Sequence, residues 1–155
     1  MDCCETTVTL WPLGDYDPAA LAAGMLPLLA PFTVGRNLRS AKVLLKPNLI
    51  TASNGQLACT HGQVMAAVAR HLLAQGARVS VGDSPAFGSA QSVLEKIGAW
   101  SLLAHLGVEV VEFRPARMLT LPSGLQVPVA APVLECDYLI NLPNLKAHGQ
   151  MRVTL

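Results

Sequence analysis

Runs of basic residues are missing from this sequence, and with them the electrostatic footprint of a nucleic-acid or membrane-surface binder. The formal net charge of +1 comes from 11 Lys and Arg set against 10 Asp and Glu, all scattered. Charged residues make up 14% and aromatics 5%, yet 52% of the chain is hydrophobic, a balance that argues against disorder and suits one packed globule. No charge-free apolar stretch reaches the length that spans a bilayer. A secretory signal is missing too: Met1-Asp2-Cys3-Cys4-Glu5 opens acidic where such a signal is basic. These absences predict a cytoplasmic protein with no nucleic-acid and no membrane partner, leaving small molecules or other proteins.

Cysteine is present but unorganised. Cys3 and Cys4 are adjacent, while Cys59 and Cys136 stand alone, so neither a disulfide framework nor a metal knuckle is indicated. An iron–sulfur site would need several closely spaced thiolates, and no such motif occurs. The cofactor, if any, is therefore unknown. The vicinal pair Cys3-Cys4 is the one place where oxidation would be tested.

What is there alternates strand with helix. Lys42 to Asn48 carries the continuous apolar run Val43-Leu44-Leu45, as expected of a strand buried on both faces, and Pro47 ends it. After turn chemistry at Ser53-Asn54-Gly55, a helix is expected from Thr60 to about Gln75. Thr60-His61-Gly62-Gln63 has capping-box spacing with Thr60 as N-cap, and Gly76 closes the helix. Arg78 to Asp83 is the next strand, so the unit is a right-handed crossover between parallel neighbours. Ser89 caps a helix ending at Gly98, a second helical piece ends at Gly107, and Val108 to Phe113 is a strand. Met118 to Val129 reads as a hairpin turning at Pro122-Ser123-Gly124, and Tyr138 to Leu142 as a buried strand. Before Lys42, Val8 to Leu10 is a candidate strand. Pro18 to Leu29 is a candidate helix with Asp17 as N-cap, its far end frayed by Pro27 and Pro31.

The predicted fold class is thus α/β, a mainly parallel sheet with helices on both faces in a three-layer Rossmann-like arrangement, plus a β-hairpin excursion. One domain, 1–155, accommodates it. The chain ends on Met151-Arg152-Val153-Thr154-Leu155, apolar-alternating and without a polar tail, so truncation at the C-terminus is expected.

Polar residues gather where three buried strands stop: at Lys46-Pro47-Asn48, at Gly82-Asp83-Ser84-Pro85, and from Asn141 through Lys146 to His148. In open parallel sheets ligands bind in the crevice outside the carboxyl ends of the strands, which makes these clusters candidates for one pocket. Lys46 and Lys146 supply ammonium charges, Asn48 and Asn141 amide donors, Asp83 a carboxylate and His148 a group titrating near neutrality. Thr60, His61 and Ser84 complete the candidate set, His61 through the positive end of its helix. The ligand such a set suits is an anionic small molecule. Each residue also has a duller reading: a strand-end Lys as a solvated charge, Asn48, Asp83 and Ser84 as turn residues, Thr60 as a cap. The stretch Gly82 to Gly88 matches neither a Walker motif nor a dinucleotide fingerprint.

Lys46-Pro47-Asn48, Thr60-His61, Gly82-Asp83-Ser84-Pro85 and Asn141-Leu142-Pro143-Asn144-Leu145-Lys146-Ala147-His148 occur in an order that resembles the domain of unknown function 362 family. The likeness covers most of Lys42 to Leu155, and its last motif is the most specific. Many members carry a ferredoxin-like cluster module elsewhere in the chain, so the resemblance implies an iron–sulfur-associated family. That module is not in this chain, and the cluster does not carry over. Where Asn144 stands the family usually has Lys, and its motif continues into a Lys-Asn and glycine segment. The resemblance brings no settled reaction. Two classes of function are expected: an enzyme domain acting on an anionic small molecule, with Asp83 or His148 as acid or base, or a noncatalytic scaffold or electron-transfer domain whose partner is an iron–sulfur protein.

Overall fold

The computed structural model describes residues 8–51 and 55–154. Its centre is a four-stranded parallel sheet in the order β3-β2-β1-β6. The strands are β1 (Lys42–Pro47), β2 (Arg78–Asp83), β3 (Glu109–Glu112) and β6 (Tyr138–Leu142). Lys42 aligns with Arg78 and Leu45 with Val81 across β1 and β2, while Val43 aligns with Tyr138 and Lys46 with Asn141 across β1 and β6. All three pairings are parallel, as the crossover reading requires.

Period-two alternation divides the side chains between the two faces. Val43, Leu45, Val79 and Val81 join one core cluster with Val110, Ile140 and Leu142. Against it pack α1 (Pro18–Thr33), α3 (Gly62–Ala74), α4 (Ala90–Lys96) and α5 (Trp100–His105), through Leu29, Met65, Val68, Leu72, Val93, Leu94 and Leu103. The apolar positions of α3 recur three and four apart, so one stripe meets the sheet. The other face carries Leu44, Lys46, Ser80, Gly82, Leu139 and Asn141 by the same alternation, and the short α6 (Ala131–Glu135) meets β1. Helices therefore lie on both faces, unequally. The hairpin excursion is β4 (Ala116–Thr120) paired antiparallel with β5 (Gln126–Ala130).

Several local rules hold as read. Ser89 and Ser92 form a reciprocal capping box at the start of α4. Glycines at positive φ, Gly76 and Gly98 among them, follow the helices. Gly82 is required for a different reason. A Cβ there would lie 2.8 Å from Val111 Cγ2 and 2.9 Å from Phe113 Cε1, and closer still to the Val111 carbonyl. Gly82→Ala is expected to cost about 2 kcal/mol by overpacking, read as a lower urea midpoint at unchanged slope.

Five expectations need correction. Tyr138 to Leu142 is not a buried strand: β6 lies at the sheet edge with half-buried and exposed residues alternating, Leu139 being 44% exposed. Val8 to Leu10 forms no strand; Val8 and Leu10 are exposed and have no strand to pair with among the described residues. Helix α1 does not fray at Pro27 or Pro31 but runs through both to Thr33. Both prolines sit on the exposed side, so the carbonyls they leave without a helical partner can be hydrated, and the Arg36 guanidinium donates to the Pro31 and Phe32 carbonyls at the helix end. Thr60 does not cap α3. His61 does, with Nδ1 accepting from the Gln63 N–H at 3.2 Å, because the Thr60 hydroxyl is engaged elsewhere. His61 is therefore the N-cap, not the first helical residue. Two elements were not anticipated: the single-turn α2 (Gly55–Ala58) and the small antiparallel pair β7 (Lys146–His148) and β8 (Arg152–Thr154). The turn residues Ser53 and Asn54, the Cys3-Cys4 pair and Leu155 lie outside the described residues.

Candidate functional site at the carboxyl ends of the strands

Strands β1, β2 and β6 run parallel, so their carboxyl ends deliver Lys46 to Leu49, Asp83 and Leu142 to Lys146 to one edge. Asp83 ties the first two together. Its Oδ1 lies 2.9 Å from Lys46 Nζ, and its Oδ2 accepts the Leu49 N–H at 2.8 Å. The Asp83 side chain is 11% exposed and that of Lys46 33%, so the carboxylate is the buried partner and the ammonium reaches partly into solvent. A carboxylate fixed at both oxygens holds that ammonium in one place.

Thr60 ties β1 to β6. Its hydroxyl accepts the Asn48 N–H at 2.9 Å and donates to the Leu142 carbonyl at 2.6 Å. The Thr60 N–H donates to the Asn48 carbonyl at 3.0 Å. Asn48, 9% exposed, uses its side-chain oxygen to accept the Asn144 N–H. Asn144 reaches back with its amide to the Leu57 carbonyl at 3.0 Å and the Cys59 carbonyl at 3.3 Å, and the Lys146 ammonium donates to the Asn144 carbonyl at 3.1 Å. These two groups of polar contacts, linked by the backbone from Lys46 to Leu49, together form the set that joins the three strand ends.

Of the residues singled out by sequence, Lys46, Asn48, Thr60, Asp83 and Lys146 belong to this set. Asn48 and Thr60 serve as internal ties through the atoms named. Asn141 is exposed and aligned with Lys46 on the neighbouring strand, which places both on one face. Ser84 follows Asp83 and is exposed. His148 closes β7, and its side chain lies outside what is described. His61 turns away, its ring stacked on Tyr16 at 3.8 Å between centroids and 9° between planes. Burial lowers its pKa from the usual histidine value. Glu112, aligned with Asp83 on β3, is occupied in accepting the Ala90 and Gln91 N–H groups at the start of α4.

Asn144 and Tyr16 were missed by reading sequence. Asn144 carried a signal, an Asn directly after Pro143 at a strand end, where its amide can bond backbone. Tyr16 carried little beyond being an aromatic just ahead of the Asp17 cap. Among the described residues no group of three or more His, Cys, Asp or Glu is placed to share a metal ion. No helix there is long and apolar enough to cross a membrane.

The motifs that supply Lys46, Asp83 and the Asn141 to His148 segment all fall within residues 43–155, which match the family model described as domain of unknown function (DUF362). The chain belongs to the DUF362 family. It is also 37% identical over 153 residues to the thylakoid-associated protein sll1697 of a Synechocystis species. That match covers 96% of this chain and 48% of the relative, so the chain spans about half the length of the curated relative it matches. No solved structure matches it. Within this DUF362 chain, the four ordered sequence motifs are the stretches that meet at the carboxyl edge of the sheet.

Proposed function

We propose that the carboxyl edge of this DUF362 domain binds an anionic small molecule, a carboxylate or phosphate, and acts on it as an enzyme. The observation that carries the reading is the oriented Lys46 ammonium, held by Asp83 on β2 and partly open to solvent, with exposed Asn141 at the aligned backbone position on β6. Adjacent parallel strands are about 4.8 Å apart, so an anion at this edge lies within reach of both flexible side chains and takes a charge-assisted hydrogen bond from Lys46 and a neutral one from Asn141. Lys146 adds a second positive charge to the edge; together the two ammonium groups outnumber the Asp83 carboxylate. Asp83 then acts first as the group that aims Lys46. Proton transfer falls to Asp83 or to His148, whose imidazole is suited to neutral pH.

Calorimetric titration of phosphate and of a small dicarboxylate into the protein tests this. Lys46→Ala or Lys146→Ala is expected to weaken binding by about 1–3 kcal/mol, the range for a hydrogen bond to a charged group. Unchanged binding in both variants would remove the two lysines from the site.

A second reading has one observation in its favour. Leu145, Met151 and Val153 are exposed beside the same edge, as a surface that meets another protein would be. On that reading the domain is a noncatalytic scaffold or electron-transfer partner of an iron–sulfur protein, and the titrations show no anion binding at all. Location is part of the proposal: we place the protein in the cytoplasm. The Synechocystis relative is named for association with thylakoids, and attachment of this chain to a membrane from its cytoplasmic side is compatible with both.

A further inference from the structure

A cavity of about 510 Å³ opens on the other side of Thr60, between the start of α3 and the junction of α4 and α5. That volume falls in the range of small-molecule sites. Its lining is uncharged throughout. Ile97, Ala99 and Leu102 supply apolar surface, Tyr16 and His61 line it as a stacked pair, and Gln63 contributes a carboxamide. An anion finds no ammonium or guanidinium among the lining residues, so this is not the site proposed above.

The chemistry of the wall follows from how α3 begins. Gln63 has capping-box spacing only from Thr60, but His61 is the N-cap and the Thr60 N–H donates to the Asn48 carbonyl, so the Gln63 side chain finds no such partner. Gln63 Oε1 is consequently buried without a hydrogen-bond partner among the described residues. A buried acceptor left unmatched costs free energy, which any donor able to reach it recovers. In the observed conformation the oxygen has no surface open to the cavity, so a ligand's donor meets it only after the carboxamide turns, which the broad terminal torsion of glutamine allows. The histidine is fixed as well: Nδ1 accepts the Gln63 N–H, so the neutral ring carries its proton on Nε2.

We propose that this cavity binds a neutral, planar ring compound carrying an N–H or O–H donor, with the ring against the apolar surface of Ile97, Ala99 and Leu102 and the donor on Gln63 Oε1. Flat, uncharged rings suit a lining with one aromatic pair and no formal charge. The donor distinguishes this ligand from a merely greasy one, because a site with an unmatched acceptor rejects the analogue that lacks the donor.

Indole and its isostere indene, which lacks the N–H, are the probes. Titrated into the isotopically labelled full chain, indole is expected to shift the backbone amides of Gly62, Gly98 and Ala99 saturably and to bind about tenfold more tightly than indene. Gln63→Leu removes the unmatched oxygen without adding charge. It is expected to fold and to bind the two probes equally. Leu102→Trp fills the space and is expected to abolish binding of both. Equal affinity of the unaltered chain for indole and indene would overturn the proposal, as would shifts confined to other residues. The anion site is read separately by phosphate, whose binding Gln63→Leu leaves unchanged, so failure of either site does not imply failure of the other.

Discussion

Asp83→Ala is expected to destabilise the domain by about 2–3 kcal/mol, chiefly by leaving the buried Leu49 N–H unmatched and in smaller part by releasing a partly exposed ammonium. Two groups lose their partner at once: the Lys46 ammonium at 2.9 Å and the Leu49 N–H at 2.8 Å. Lys46 is one-third exposed and recovers part of its hydration, whereas the Leu49 N–H belongs to a buried residue. Asp83→Asn should fall between, since a carboxamide can still accept from Leu49 but carries no charge to hold Lys46. Urea unfolding of the three proteins reads this directly. A loss below about 1 kcal/mol for the alanine variant would reduce the pair to an ordinary surface contact.

Thr60→Val is expected to cost about 3 kcal/mol although it is nearly isosteric. The hydroxyl accepts from Asn48 and donates to Leu142, so valine strands a buried N–H and a carbonyl, each worth about 1–3 kcal/mol when unmatched. The loss should be local as well as global. Leu142 closes the edge strand β6, and amide exchange there should accelerate more than in β2. Thr60→Ser keeps the hydroxyl and should restore most of the stability. If instead the valine variant keeps the stability of the unaltered protein and the serine variant loses it, the packing of the methyl group matters and the two hydrogen bonds do not.

The sheet was legible in the sequence because its strands are short, apolar-centred and followed closely by Pro or Gly, although β6, expected to be buried, is an edge strand. β2 and β6 have the expected boundaries and β1 ends at Pro47, one residue before Asn48. The same holds for α4 and α5, where glycine punctuates each end. What misled was chemistry with two possible customers. Thr60 has a side chain fit to cap α3, and only the proximity of Asn48 and Leu142, distant in sequence, decides that it ties strands instead. Propensity argued that Pro27 and Pro31 fray the far end of α1, yet exposure of that side of the helix makes both tolerable. The edge cluster itself was readable from topology, since parallel strands must end on one side. Its wiring was not, because the Lys46 to Asp83 pairing and the reach of Asn144 to Leu57 and Cys59 depend on distances that no local pattern encodes.

Diffraction from crystals of the protein grown with selenate, a phosphate-sized anion visible by its anomalous signal, tests the central claim most directly. The account predicts an anomalous peak at the carboxyl edge of the sheet, within hydrogen-bond distance of Lys46 Nζ and the Asn141 amide, and its loss in Lys46→Ala crystals. Selenate bound only at other surfaces, with the Lys46 ammonium ordered on Asp83 and nothing beside it, would contradict the account.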